Sequence, residues 1–149
     1  METILNTRLN LHLSKKIRQV IADFSAYLFI VLFMYTAGSK LFALKSFAAT
    51  LAKSPLIGNL NIIVAWTIPL VEIILSIMLV FPQIRKAALR GSLLLMSIFT
   101  CYLIYMVYSG HELPCHCGGV ISSMTWQQHI WFNLGFVALA IGGLVANKK

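Results

Sequence analysis

With 149 residues, 59% of them hydrophobic and only 11% charged, the chain has a mean hydropathy of +0.84, which excludes a water-soluble globule and places it in a lipid bilayer. Four spans of about 20 residues use up so much of that length that a separate soluble domain is excluded as well. Twelve Lys and Arg against four Asp and Glu give a formal net charge of +8, but their placement beside apolar runs makes them markers of topology rather than a nucleic-acid-binding face.

Residues 1–19 alternate Leu with Asn and His and carry Arg8, Lys15, Lys16 and Arg18. They read as a basic cytoplasmic tail that lies on the inner membrane surface or stays disordered. The first apolar run covers residues 20–42. A basic region ahead of an apolar run also describes a secretory signal, but this run is longer than the roughly 7–15 residues of a signal core and lacks a small-x-small cleavage site, so it is expected to stay as a span. The next connection holds Lys45, Phe47, Leu51 and Lys53 ahead of Pro55. Phe47 and Leu51 stand four apart on one face, which predicts a short helix in the membrane interface.

The second span is expected over 61–81, the third over 91–108 and the fourth over 126–146, separated by a basic connection with Arg85, Lys86 and Arg90 and by an outer loop. The membrane domain therefore covers 20–146 as an all-α, polytopic bundle of four transmembrane helices. No alternating strand pattern supports a barrel, and no internal repeat is visible. Nine of the twelve basic residues lie in the tail, the second connection and the last two positions, Lys148 and Lys149. Those segments share one side, which the positive-inside rule makes the cytoplasm. Both termini are then cytoplasmic, the segments around 43–60 and 109–125 face outward, and in a bacterial inner membrane outward means the periplasm.

The loop from Ser109 to Thr125 carries the strongest chemical signal, Cys115-His116-Cys117-Gly118-Gly119. Two cysteines one residue apart facing an oxidising compartment close a very small ring when bonded, and departure from relaxed geometry makes a disulfide easier to reduce. Such a pair suits exchange better than stapling, because a structural bridge gains most from closing a long loop. A static local bridge and a reduced pair without function remain open readings. Thr125 with Gln128 three residues on matches a capping box, so the fourth helix starts near the loop and turns its positive dipole end toward the cysteines, which favours a thiolate. His116 lies between the cysteines, and His111 and His129 flank them; each also reads as an ordinary loop or interface residue. Gly118 and Gly119 supply a tight turn and let a partner approach the backbone. Cys115, Cys117 and a histidine also offer ligands to zinc or copper, although no second cysteine pair exists. Cys101, inside the third span about 10 Å below Tyr108, reads as a buried apolar thiol out of reach of the loop.

Charge within hydrocarbon is costly and points to a partner or a function. Glu72 is near the middle of the second span, three residues after Pro69, and Lys40 near the outer end of the first is the basic residue nearest to it from that side. Counted along the helices their backbones differ in depth by roughly 12 Å, so pairing needs Lys40 to reach down, and snorkelling to the surface is the alternative. Asp23 is expected to meet Arg18 or water. His129 and Asn133, four apart on the fourth span, should point into the bundle, while Ala138, Gly142 and Ala146 read as a close helix contact. Trp66, Trp126, Trp131, Tyr102, Tyr105 and Tyr108 crowd the outer half as an aromatic belt, whose rings can also shelter a quinone.

Together these segments resemble the MauE family of methylamine-utilisation membrane proteins, within the broader DoxX-like group of four-helix membrane proteins. The matching pieces are Gly38-Ser39-Lys40-Leu41, Pro69-Leu70-Val71-Glu72, Phe99-Thr100-Cys101-Tyr102, Cys115-His116-Cys117-Gly118-Gly119, and Trp126-Gln127-Gln128-His129 with Asn133. The resemblance covers about residues 20–146. It implies a role in forming or maintaining disulfides in periplasmic or exported proteins with a thioredoxin-like partner, with Cys115 and Cys117 as the exchange pair of a membrane thiol–disulfide oxidoreductase. Two rival readings stay beside it: a non-catalytic membrane subunit that docks such a partner through the loop, and a metal-handling membrane protein.

Overall fold

The structure, a computed structural model, describes the backbone of residues 2–110 and 125–146 and side chains from residue 14 onward within them, except that of Trp126. Helices dominate, and no strand occurs among the described residues. The elements are α1 (Glu2–Phe42), α2 (Leu44–Ala52), a 3-10 turn at Gly58–Leu60, α3 (Asn61–Val80), α4 (Arg85–Tyr108) and α5 (Trp126–Ala146). Four stretches are long and apolar enough to cross a bilayer: Ser14–Phe42, Gly58–Val80, Arg85–Tyr108 and Gln127–Ala146. The chain is thus an all-α, multi-pass membrane protein. Helices suit that solvent because each satisfies its backbone polar groups internally.

α1 runs without interruption from the basic segment into its span, with Lys15 and Lys16 exposed. α4 likewise begins at Arg85, so the basic stretch ahead of residue 91 is helical. Long basic side chains at a helix end can carry their charge outward while their stems stay along apolar surface. The core is built from Phe29 and Phe33 of α1, Leu79 of α3, Ala88 and Leu89 of α4 and Ala140 of α5. Val31, Ile74, Leu94 and Ile98 face out, where lipid rather than water meets them.

At one end of the bundle, here the basic end, arginines close the helix termini. Arg18 donates from Nε to the Ala146 carbonyl at 3.3 Å and from its terminal nitrogen to that of Val145 at 3.2 Å. Arg85 donates to the Leu79 carbonyl at 3.3 Å and pairs with Asp23. These bonds satisfy carbonyls that a helix terminus leaves without partners. Asp23 therefore meets Arg85 rather than Arg18, since Arg18 is committed to the end of α5.

The small-residue contact falls on a different face from the one expected. Ala138 and Gly142 are exposed, whereas Ala140 and Gly143 are buried. A Cβ added at Gly143 would sit 3.0 Å from the Ser25 Cβ and 3.2 Å from its Oγ, while one at Gly142 would meet nothing within 4 Å. Gly143 is what lets α1 and α5 close up here.

At the opposite end, here the α2 end, the short helix predicted from Phe47 and Leu51 is present, and those two residues are its buried face. That face docks on α3, packing with Ala65, Val64 and Ile68. Asn61 fastens it further by donating to the Ala48 carbonyl at 3.2 Å.

Candidate functional site

The α2 end holds the buried polar groups that α1, α3, α4 and α5 bring together: Thr36, Lys40, Glu72, Thr100, His129 and Asn133 are all buried. Lys40 Nζ donates to Glu72 Oε1 at 2.5 Å, with exposures of 3% and 2%, so this is an ion pair sealed inside the bundle and not a snorkelled lysine. The depth difference counted from the sequence assumed that α1 ends where α3 begins. Instead, α2 packs against α3 through Val64, Ala65 and Ile68, below the start of α3, which lets the end of α1 sit deep enough for Lys40 to reach Glu72. Lys40 Nζ also stands 5.4 Å from the centre of the Phe99 ring, whose face attracts a cation.

Most hydroxyls in this region are satisfied by their own helices. Thr100 donates to the Met96 carbonyl at 2.7 Å and Ser76 to the Glu72 carbonyl at 2.9 Å, the usual way of burying a hydroxyl in a membrane helix. Thr36 lies beside the Glu72 carboxylate as a side-chain hydrogen-bond donor, and its hydroxyl is also 3.4 Å from the Phe33 carbonyl. Two charged or basic groups are left incomplete: Glu72 Oε2 and His129 Nδ1 are buried without a hydrogen-bond partner. Burying such an atom is costly, and Ser54 Oγ just after α2 shares that state, which sets these three apart from the hydroxyls that their own helices satisfy.

The packing of α1 against α5 fixes their relative depth. Three contacts run antiparallel along it: Arg18 with Ala146, Ser25 with Gly143, and Phe29 edge-on to Phe136 at 5.2 Å. Seven residues beyond Phe29 on α1 is Thr36, and seven before Phe136 on α5 is His129, each displacement being about 10 Å. His129 is therefore level with Thr36, and so with the Glu72 carboxylate beside it. One turn further, Lys40 is level with Thr125, the N-cap of α5. The predicted capping box is formed there: the Thr125 amide donates to Gln128 Oε1 at 3.1 Å and the Gln128 amide to Thr125 Oγ1 at 3.4 Å.

Against this geometry a family model described as methylamine utilisation protein MauE matches residues 18–146. The chain belongs to the MauE family. No curated protein and no solved structure matches it. The MauE match takes in α1 from residue 18, the whole of α2 to α5 and the Ser109–Thr125 connection.

Of the residues singled out from the sequence, Lys40 and Glu72 are brought together, and His129 and Asn133 share the buried face of α5. His111, Cys115, His116 and Cys117 lie outside the described residues. Cys101 is exposed on α4, facing outward rather than buried, because the buried face of that helix runs through Met96, Thr100 and Leu103. Trp66, Trp131 and Tyr108 also face outward, as a belt does, and the ring beside the ion pair is Phe99. Thr36 was missed, although it stands four residues before Lys40 on the same helix face. Nothing in the sequence singles out Phe99.

Proposed function

We propose that this MauE-family chain is a thiol–disulfide redox protein of a bacterial inner membrane, supporting disulfide formation in exported proteins through Cys115 and Cys117. In this reading residues 1–19 and the C-terminus are cytoplasmic, the Ser109–Thr125 loop faces the periplasm, and the partner is a thioredoxin-like protein there. The observation that carries it is a Cys-x-Cys pair in the connection that leads into the capped N-terminus of α5. A capped helix start directs partial positive charge toward the connection, which favours a thiolate over a thiol.

The exchange balances in two steps. A partner thiolate attacks one sulfur of the Cys115–Cys117 disulfide, forming a mixed disulfide and releasing the other cysteine as a thiolate. The partner's second thiolate then attacks the mixed disulfide, so the partner leaves oxidised and the pair is left as two thiols.

Removing one cysteine interrupts this cycle. With a partner whose second cysteine is replaced by Ser, the wild-type chain is expected to accumulate a mixed disulfide in intact cells, seen as a slower band on a non-reducing gel that collapses with reductant, whereas Cys115→Ser or Cys117→Ser offers no disulfide to attack and should accumulate none. The double variant should show none. If the wild-type chain yields no adduct with that partner variant, the loop is a docking surface, and enlargement of Gly118 or Gly119 rather than loss of the cysteines should then disable the protein.

A further inference from the structure

Both carboxylates among the described residues are engaged, Asp23 with Arg85 and Glu72 with Lys40, and Arg18 is bonded to the last carbonyls of α5. Two cations at the basic end are left over. Lys86 and Arg90 are exposed on α4, four residues apart and so on one face, and neither has a hydrogen-bond or ionic partner among the described residues.

That face stays exposed further along the helix. Two more steps of four residues bring Leu94 and Ile98, with exposures of 64% and 57%, so the two cations and two apolar side chains form one continuous ridge. The neighbouring helix fixes its depth. A Cβ added at Gly91, the residue after Arg90, would lie 2.7 Å from Leu75 Cδ2, and Leu75 stands well inside α3, which ends at Val80. Arg90 is therefore about 7–8 Å inside the span, on its lipid-facing side. A guanidinium there is costly to leave bare, and its stem can carry it outward toward Lys86.

A phosphodiester matches two neighbouring cations, since the guanidinium fork takes its oxygens in pairs. The occupant must also cover the apolar half of the ridge. From Lys86 to Ile98 the rise is about 18 Å, close to the ~15 Å hydrocarbon depth of one leaflet. A free phosphate would leave Leu94 and Ile98 uncovered, a zwitterionic headgroup would bring its own cation against the two, and a partner helix would have to place a carboxylate at lipid depth.

We infer that Lys86, Arg90, Leu94 and Ile98 form a binding site for one anionic phospholipid of the leaflet at the basic end, its phosphate held between the two cations and an acyl chain lying along Leu94 and Ile98. Basic residues near a membrane surface attract anionic lipid wherever they stand. Here the four side chains act together as one site.

The test is titration of the full-length protein in dodecylmaltoside with dioleoylphosphatidylglycerol, or with dioleoylphosphatidylcholine for comparison, read by native mass spectrometry as the fraction carrying one lipid. Wild type is expected to bind the anionic lipid about thirtyfold more tightly, each basic side chain contributing about fivefold. Lys86→Gln/Arg90→Gln should cut that preference to about twofold, by the loss of both contributions. Lys15→Gln/Lys16→Gln, which removes the same charge from exposed positions on α1, should keep it. An unchanged melting temperature is expected for both variants, because each replaces exposed side chains that have no protein partner. Leu94→Asn, with both cations in place, should weaken phosphatidylglycerol binding, and equimolar glycerol phosphate should not displace the lipid. Equal affinity of wild type for the two lipids, an equal loss of preference in the Lys15→Gln/Lys16→Gln variant, or displacement by glycerol phosphate would each overturn the site.

Discussion

Lys40→Ala is expected to destabilise the protein by about 3–5 kcal/mol, the range for breaking a buried ion pair by removing one partner. It strands Glu72, which sits 11 residues inside α3 with an exposure of 2% and no route for its short side chain to the surface. Glu72→Ala should cost less, because Lys40 is two residues from the end of α1 and its long stem lets the ammonium turn outward once the carboxylate is gone. Replacing both at once, Lys40→Met with Glu72→Leu, should restore stability to within about 1 kcal/mol of wild type or raise it, since two desolvated charges are exchanged for apolar packing. Unfolding of the purified protein in detergent checks all three. A double variant as unstable as Lys40→Ala would mean that the pair contributes through more than mutual compensation. A Lys40→Ala protein as stable as wild type would mean that the two charges are not paired in the folded bundle.

The second large effect is functional. Cys115→Ser and Cys117→Ser should each reduce disulfide formation in exported proteins to the level of cells lacking this protein, because neither half of the exchange runs with one sulfur. Lys40→Met/Glu72→Leu, by contrast, should fold and reach the membrane at normal levels. The fraction of a reporter protein carrying its disulfide, measured by alkylation and gel shift, distinguishes these outcomes. Activity that survives the loss of either cysteine would assign the loop to docking.

The helix pattern was legible because hydropathy alone decides which segments suit a bilayer, and a helix long and apolar enough to cross one covers each of the four apolar runs. The Thr125–Gln128 cap and the Phe47–Leu51 face were legible for the same local reason: each depends on residues three or four apart in one helix. Contacts between helices were harder. Lys40 and Glu72 were visible as a candidate pair, but their relative depth depended on how far α2 climbs along α3, which no spacing in α1 or α3 encodes. The close contact of α5 was assigned by residue size to Ala138 and Gly142. Continuing the polar face from His129 and Asn133 by helical steps leads to Phe136, Ala140 and Gly143, the face that is buried. Cys101 shows the same limit, since Thr100 beside it is buried and a single residue turns the helix by about 100°. Glu72 Oε2 and His129 Nδ1 emerge as incomplete atoms only after packing shows which neighbours are already committed.

The central claim is that Cys115 and Cys117 form an outward-facing pair that cycles between disulfide and dithiol. The most direct measurement is their redox state in intact cells, labelled with a membrane-impermeant thiol reagent before and after reduction. The account predicts little labelling at first, full labelling after reduction, and a shift toward the thiol form when respiration is blocked. A pair that is fully labelled without reduction, and unchanged by blocking respiration, would contradict it.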